Sequence, residues 1–213
     1  MIPGMSIGPI SGGIPPPPRW MVFVDGENFT IRSQQWASEN RVPLISGPYW
    51  AKDAFLWFPE SDPRAMNMPM ALGGRAVRAY YYTSAVAAEN VLAQYRDRLA
   101  EMGFDPRVFK RDAGTKRSKG VDITLATEML TNAFMDNYSL AVLIAHDGDY
   151  VSLVEQVKRL GKVVVVGFLD NCGVSKALIR AADYTQDLAP GLDHSWREYA
   201  ARMQSGDPGP LGE

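Results

Sequence analysis

This sequence is poor in the residues that soft-metal sites and disulfides require. It has one cysteine, Cys172, and two histidines, His146 and His194. A lone thiol excludes an internal disulfide and fits a reducing compartment, so a cytoplasmic location is expected. Structural zinc sites draw on several cysteine and histidine ligands, more than this chain offers, so any resident metal is expected on oxygen. No apolar run reaches the roughly 18 residues of a membrane helix, and the first residues lack the charged and apolar blocks of a secretory signal. Neither a membrane span nor an export signal is therefore expected. A strong excess of positive charge is also missing. The formal net charge is −2, so whole-molecule attraction to nucleic acid is not a signature of this protein.

What charge there is falls unevenly. Between Arg107 and Lys119 stand Arg107, Lys110, Arg111, Lys116, Arg117 and Lys119, against Asp112 alone. Such a stretch can hold a phosphate backbone on an otherwise acidic protein, or it can be a solvated loop. Proline and glycine cluster at both ends. Residues 1–18 end in Pro15-Pro16-Pro17-Pro18 and read as a disordered tail. Residues 191–213 read as a C-terminal tail, loose from about Ser205.

Between the tails, apolar runs alternate with helical patterns. Trp20-Met21-Val22-Phe23-Val24, Arg75 to Thr83, Phe104 to Lys110, Leu140 to Ala145 and Val163 to Phe168 read as strands. Ala85 to Met102, Val121 to Met135, Tyr150 to Leu160 and Ser175 to Ala182 read as helices, with Gly103 and Gly161 as stops. That rhythm predicts an α/β fold, one domain over 19–190 with a parallel, doubly wound sheet. Residues 32–74 break the rhythm. Rich in tryptophan, phenylalanine, methionine and proline, they read as an insertion containing helix and then a Met/Pro loop. Their aromatics are more often core than a ligand platform.

In a doubly wound sheet, ligands bind beyond the carboxyl ends of the strands. After the first strand comes Asp25-Gly26-Glu27-Asn28, and after Leu140–Ala145 comes His146-Asp147-Gly148-Asp149-Tyr150. The predicted Val121–Met135 helix adds Asp122 at its start and Glu128 further along. Gathered carboxylates repel one another unless a cation neutralises them, and hard oxygen ligands select Mg²⁺ or Mn²⁺. Singly, each acid has a plain reading. Asp-Gly-Asp is a common surface turn, Asp122 and Asn28 can cap helices, and Asp183 can be an exposed turn residue. Their joint placement at strand ends favours a site.

These blocks resemble the NYN domain family, PIN-like nucleases related to LabA-type proteins. The likeness runs through Val22-Phe23-Val24-Asp25-Gly26-Glu27-Asn28-Phe29, Lys119-Gly120-Val121-Asp122-Ile123 and Ile144-Ala145-His146-Asp147-Gly148-Asp149-Tyr150. It continues through Gly161 to Gly167, Ser175-Lys176-Ala177-Leu178 and Ala182-Asp183-Tyr184. The resemblance implies a PIN-like (Rossmannoid) central parallel sheet flanked by helices, and metal-dependent cleavage of RNA by an endoribonuclease. By position it implies that Asp25, Asp122, Asp147 and Asp149 hold Mg²⁺ or Mn²⁺ and carry catalysis. Asn28, Lys119, Lys116 and Arg117 would contact RNA, the expected partner, and a second copy of the chain in a homodimer is the other partner considered. The sequence departs from the family's Ser-Gly-Asp-x-Asp-Phe, with Ala145-His146 in place of Ser-Gly. The expected role of His146 is packing or support of the neighbouring acids. The lost serine also motivates the alternative, a catalytically weak or inactive adaptor that binds RNA or protein. A haloacid-dehalogenase-like phosphatase is disfavoured, because Asp-Gly-Glu-Asn lacks the Asp-x-Asp of an aspartyl nucleophile and its acid partner.

Overall fold

Six buried or half-buried strands make one sheet in which every pairing is parallel. In the computed structural model, which describes residues 18–66, 74–114 and 119–206, they are β1 (Trp20–Asp25), β4 (Arg78–Ala85), β5 (Asp105–Lys110), β6 (Leu140–Ile144), β7 (Val163–Phe168) and β8 (Tyr184–Asp187). Their order across the sheet is β5-β4-β1-β6-β7-β8. A short antiparallel pair, β2 (Trp50–Ala51) and β3 (Phe55–Leu56), lies outside it. The helices are α1 (Gly26–Glu39), α2 (Glu89–Glu101), α3 (Lys119–Phe134), α4 (Val151–Arg159), α5 (Lys176–Ala181) and α6 (Ala189–Ser205). The fold is thus the expected α/β sheet with helices on both faces.

The alternation of side chains along β1 sorts the core into two layers. Trp20, Val22 and Val24 pack with Phe29, Leu92, Leu192 and Trp196, the layer of α1, α2 and α6. Met21 and Phe23 pack with Val121, Leu125, Val154 and Leu178, the layer of α3, α4 and α5. The chain builds outward from β1 to β4 and β5, then crosses through α3 to β6 on the other side of β1. β1 and β6 therefore flank the point where the winding reverses, and their carboxyl ends bound the crevice where such sheets bind ligands.

Three stretches differ from expectation. Residues 191–205 are not tail but helix. Leu192, Trp196, Tyr199 and Ala200 recur at helical spacing and are buried, and Pro190 sits in the first turn, where its missing N–H costs nothing. β8 was not expected at all, because Tyr-Thr-Gln-Asp is polar; as an edge strand, it is half exposed. The supposed insertion divides in two. Its start is the continuation of α1, which runs unbroken to Glu39, and Phe55, Leu56 and Trp57 are wholly buried in the α1-side layer. Its Met/Pro loop falls on 67–73, outside the described residues, as do the tail residues 1–17 and 207–213 and the residues Lys116 and Arg117.

Candidate active site

Asp25 is the last residue of β1, and the strand's alternation turns it to the same face as Met21 and Phe23. That is the face on which α3 begins, so Asp122 in its first turn comes to meet it. Gly26 makes the junction possible. A Cβ there would lie 2.1 Å from Tyr81 Cε1 and 2.7 Å from the Tyr82 carbonyl, so only glycine lets α1 start this close to β4. Asp25 also caps α1, its Oδ1 accepting from the Asn28 N–H at 3.1 Å.

The two carboxylates are joined by a tyrosine. The Tyr150 hydroxyl is 3.1 Å from Asp25 Oδ2 and 3.0 Å from Asp122 Oδ1. A hydroxyl has one hydrogen to give, so it satisfies one carboxylate as donor. The other contact is favourable only if the second carboxyl carries a proton. Asp25 is suited to that state. It is only 3% exposed, and burial pushes its pKa from 3.8 up to about 7, with the Asp122 and Glu27 charges adding to the rise and the Asn28 and Tyr150 hydrogen bonds opposing it. Burial, followed by the two acids, drives the Tyr150 phenol the same way, so it stays a neutral donor. Glu27 is buried beside them and accepts from the Ser84 hydroxyl.

Across the crevice, a single turn (Gly148–Tyr150) follows β6. Asp147 caps it, accepting from the Asp149 N–H at 3.2 Å, while Asp149 is exposed. The turn carries Tyr150 inward to the carboxylate pair. Gly148 serves close packing: a Cβ there would lie 2.9 Å from Ser175 Oγ. The structure therefore unites Asp25 and Asp122. Among the described residues, no three His, Cys, Asp or Glu side chains come close enough to hold a metal together, so Asp147 and Asp149 do not join the pair.

The remaining candidates separate by geometry. Asn28 is 6% exposed, and its buried Oδ1 has no hydrogen-bond partner among the described residues. Lys119 begins α3 next to Asp122; its side chain is outside what is described. Glu128 is engaged elsewhere, accepting from Arg107 Nε at 2.9 Å and from the Tyr82 hydroxyl at 2.7 Å. Asp183 is at the opposite edge of the sheet, bound to the Val164 N–H and paired with Lys158 at 2.9 Å. His146 packs into the β6–β7 junction, its Nε2 accepting from the Leu169 N–H at 2.9 Å. Burial and then the Arg32 charge lower its pKa from 6.5 to about 4, so it is a neutral packing group.

Sequence reasoning missed Tyr150 and left Glu27 without a role. The one signal for Tyr150 was the family pattern itself, which carries phenylalanine where this chain adds a hydroxyl. The donors fit a hard divalent cation: Asp25 and Asp122 offer carboxylate oxygens, and Asn28 Oδ1 is a buried acceptor without a partner among the described residues.

The fold and site define an α/β domain with a central parallel sheet and two acids meeting at its switch point. The NYN domain model matches residues 19–189, and the chain belongs to the NYN domain family. Among solved structures, the chain is similar to the crystal structure of a protein of unknown function from Vibrio parahaemolyticus. The TM-score is 0.53 at 19% identity over 82% of this chain and 94% of that one, a likeness of fold alone. A search of curated proteins finds no match. No helix among the described residues is long and apolar enough to cross a membrane.

Proposed function

We propose that this protein is a metal-dependent ribonuclease that hydrolyses RNA phosphodiester bonds at the crevice between β1 and β6. The observation that carries the reading is the convergence of Asp25 and Asp122 on one hydroxyl in an NYN domain. Asp25 and Asp122 would hold Mg²⁺ or Mn²⁺, which supplies, when bound, polarisation of the phosphoryl group and a nucleophilic water at neutral pH. The Asn28 N–H fixes the Asp25 carboxylate, and the Asn28 side-chain amide would orient a ligand or touch the phosphate. Tyr150 keeps the two acids in register, its hydroxyl able to turn to either one. Asp147 and Asp149, on the other lip, would meet the phosphate backbone only through a bound cation, since bare carboxylates repel it. Lys119, Lys116 and Arg117 would hold flanking phosphates. In-line attack by water leaves 5′-phosphate and 3′-hydroxyl ends.

The test is cleavage of a single-stranded RNA with Mn²⁺. Asp122→Asn should lower the rate by more than the roughly tenfold to hundredfold that loss of a residue supporting a metal ligand costs, and Asp147→Asn should lower it measurably. Undiminished cleavage by both variants would overturn the assignment. The adaptor reading draws on two observations: Ala145 stands in place of the family's serine, and no third acid joins the pair among the described residues. RNA binding with no cleavage by the unaltered chain at any Mn²⁺ concentration would favour it.

A further inference from the structure

Two strands from Asp25, an arginine is held with one end of its guanidinium unanswered. The register pairs Asp25 with Tyr82, and Tyr82 with Arg107. Paired residues of neighbouring parallel strands point to the same side, so the three form a row on the α3 face of the sheet. At about 4.8 Å per strand, the Arg107 backbone lies about 10 Å from that of Asp25. β5 is the edge strand, and the Arg107 side chain is 36% exposed there.

Glu128 of α3 decides how that side chain is presented. A carboxylate commonly takes an arginine through two parallel bonds, but here one of its oxygens is already claimed. Glu128 Oε2 accepts from the Tyr82 hydroxyl at 2.7 Å, and Arg107 Nε donates to Oε1 alone at 2.9 Å. Burial, and then Glu128 itself, keeps the Tyr82 phenol protonated, so its hydroxyl remains the donor. Arg107 Nη1 reaches only the adjacent Pro106 carbonyl, at 3.3 Å. Nη2 has no acceptor among the described residues. Asp105, the other acid on this face of β5, lies 3.8 Å from Arg78 instead. The Tyr80 ring backs the guanidinium, its centroid 5.3 Å from the central carbon. Ring and carboxylate together hold the head in place, so little rotamer freedom is left to lose on binding.

We propose that Arg107 contacts a backbone phosphate of single-stranded RNA beside the acid pair, through Nη2, with Tyr82 and Glu128 as its positioning residues. The inference takes its ligand from the nuclease reading of Asp25 and Asp122. A guanidinium already oriented, with a nitrogen in want of an acceptor, matches a phosphate oxygen in charge and in hydrogen bonding. Lys110, exposed at the end of the same strand, adds positive charge to this edge. At the stacked rise of about 3.4 Å per nucleotide, a separation of about 10 Å puts this phosphate within about three nucleotides of the bond to be cut.

The experiment measures binding of a short fluorescein-labelled single-stranded RNA by anisotropy, in EDTA so that nothing is cut, from about 50 to about 200 mM KCl. It compares the full-length chain with Arg107→Gln and Tyr82→Phe. Arg107→Gln should weaken binding about tenfold and flatten the plot of log affinity against log salt by about 0.7, the share of one phosphate contact on a single strand. Tyr82→Phe removes no charge and leaves the ring in the core, so it keeps the fold. It releases Glu128 Oε2 to take Arg107 Nη2, and binding should weaken about threefold. Neither variant touches Asp25 or Asp122, so both should bind Mn²⁺ as the parent does. Parental RNA affinity and salt slope in both variants would overturn the contact and leave the nuclease reading standing, with Arg107 a tie between β5 and α3. So would a parent that cuts RNA with Mn²⁺ yet binds none in EDTA. A parent that neither binds nor cuts RNA would overturn both.

Discussion

Replacing Asp25 with asparagine should stabilise the metal-free protein at alkaline pH. In the unfolded chain this carboxyl loses its proton near 3.8, whereas in the fold it holds it to about 7. Below 3.8 both states are protonated and the group contributes no difference. As pH rises toward 7, the unfolded state ionises freely while the folded state must either retain a proton or bury a charge, so stability falls. Above 7 the loss levels off. A gap of about three pH units corresponds to a loss of about 4 kcal/mol. Asparagine cannot ionise, and it caps helices about as well as aspartate, so the Asn28 N–H keeps an acceptor. Weaker bonds to the amide and the changed contact with Tyr150 return part of the gain, leaving about 2–4 kcal/mol at pH 8. The assay is urea unfolding in EDTA at pH 8 and pH 5. The advantage of Asp25→Asn should shrink to less than half at pH 5. Added Mn²⁺ should narrow it at pH 8 by binding only the carboxylate form. An asparagine variant less stable than the parent at pH 8 without metal would refute the account of Asp25 as a strained carboxylate.

Other consequences are simpler to read. Tyr150→Phe removes the hydroxyl shared by Asp25 and Asp122 and should cost about 1–2 kcal/mol near neutral pH, measured by the same unfolding assay. Because Tyr150 positions the acids, this variant should keep Mn²⁺-supported cleavage while raising the Mn²⁺ concentration needed for half-maximal rate. His146 acts in the opposite pH direction to Asp25. Its pKa is about 6.5 unfolded and about 4 folded, so the stability it contributes is complete above 6.5 and is lost as pH falls toward 4. The loss approaches about 3 kcal/mol. In an Asp25→Asn background this acid-side decline should stand alone, and His146→Gln should abolish it, read from unfolding midpoints between pH 7 and pH 4.5.

The parts of this molecule that were legible in its sequence are those where burial left no choice of residue. Leu140–Ile144 and Val163–Phe168 lie inside the sheet and are apolar throughout, so they announce themselves as parallel strands. β8 does not, because an edge strand exposed on one side can be built from Tyr-Thr-Gln-Asp. The helix from Ala189 was masked by Pro190-Gly191, which looks like a loop but starts the first turn. In the site, Asp25 and Asp122 could be singled out because each sits where an element begins or ends. That the two would meet depends on β1's alternation and on the crossover through α3, which are tertiary facts. Tyr150 was hidden for a related reason. An aromatic after Asp-Gly-Asp reads as core, and most of its ring is core; only the hydroxyl reaches the acids.

The central claim is that Asp25 and Asp122 form one divalent-cation site, and calorimetric titration of the metal-free protein with Mn²⁺ tests it most directly. The account predicts saturable binding by the unaltered chain that is lost in both Asp25→Asn and Asp122→Asn. Binding that survives in the two variants, or no binding by the parent at millimolar Mn²⁺, would contradict it.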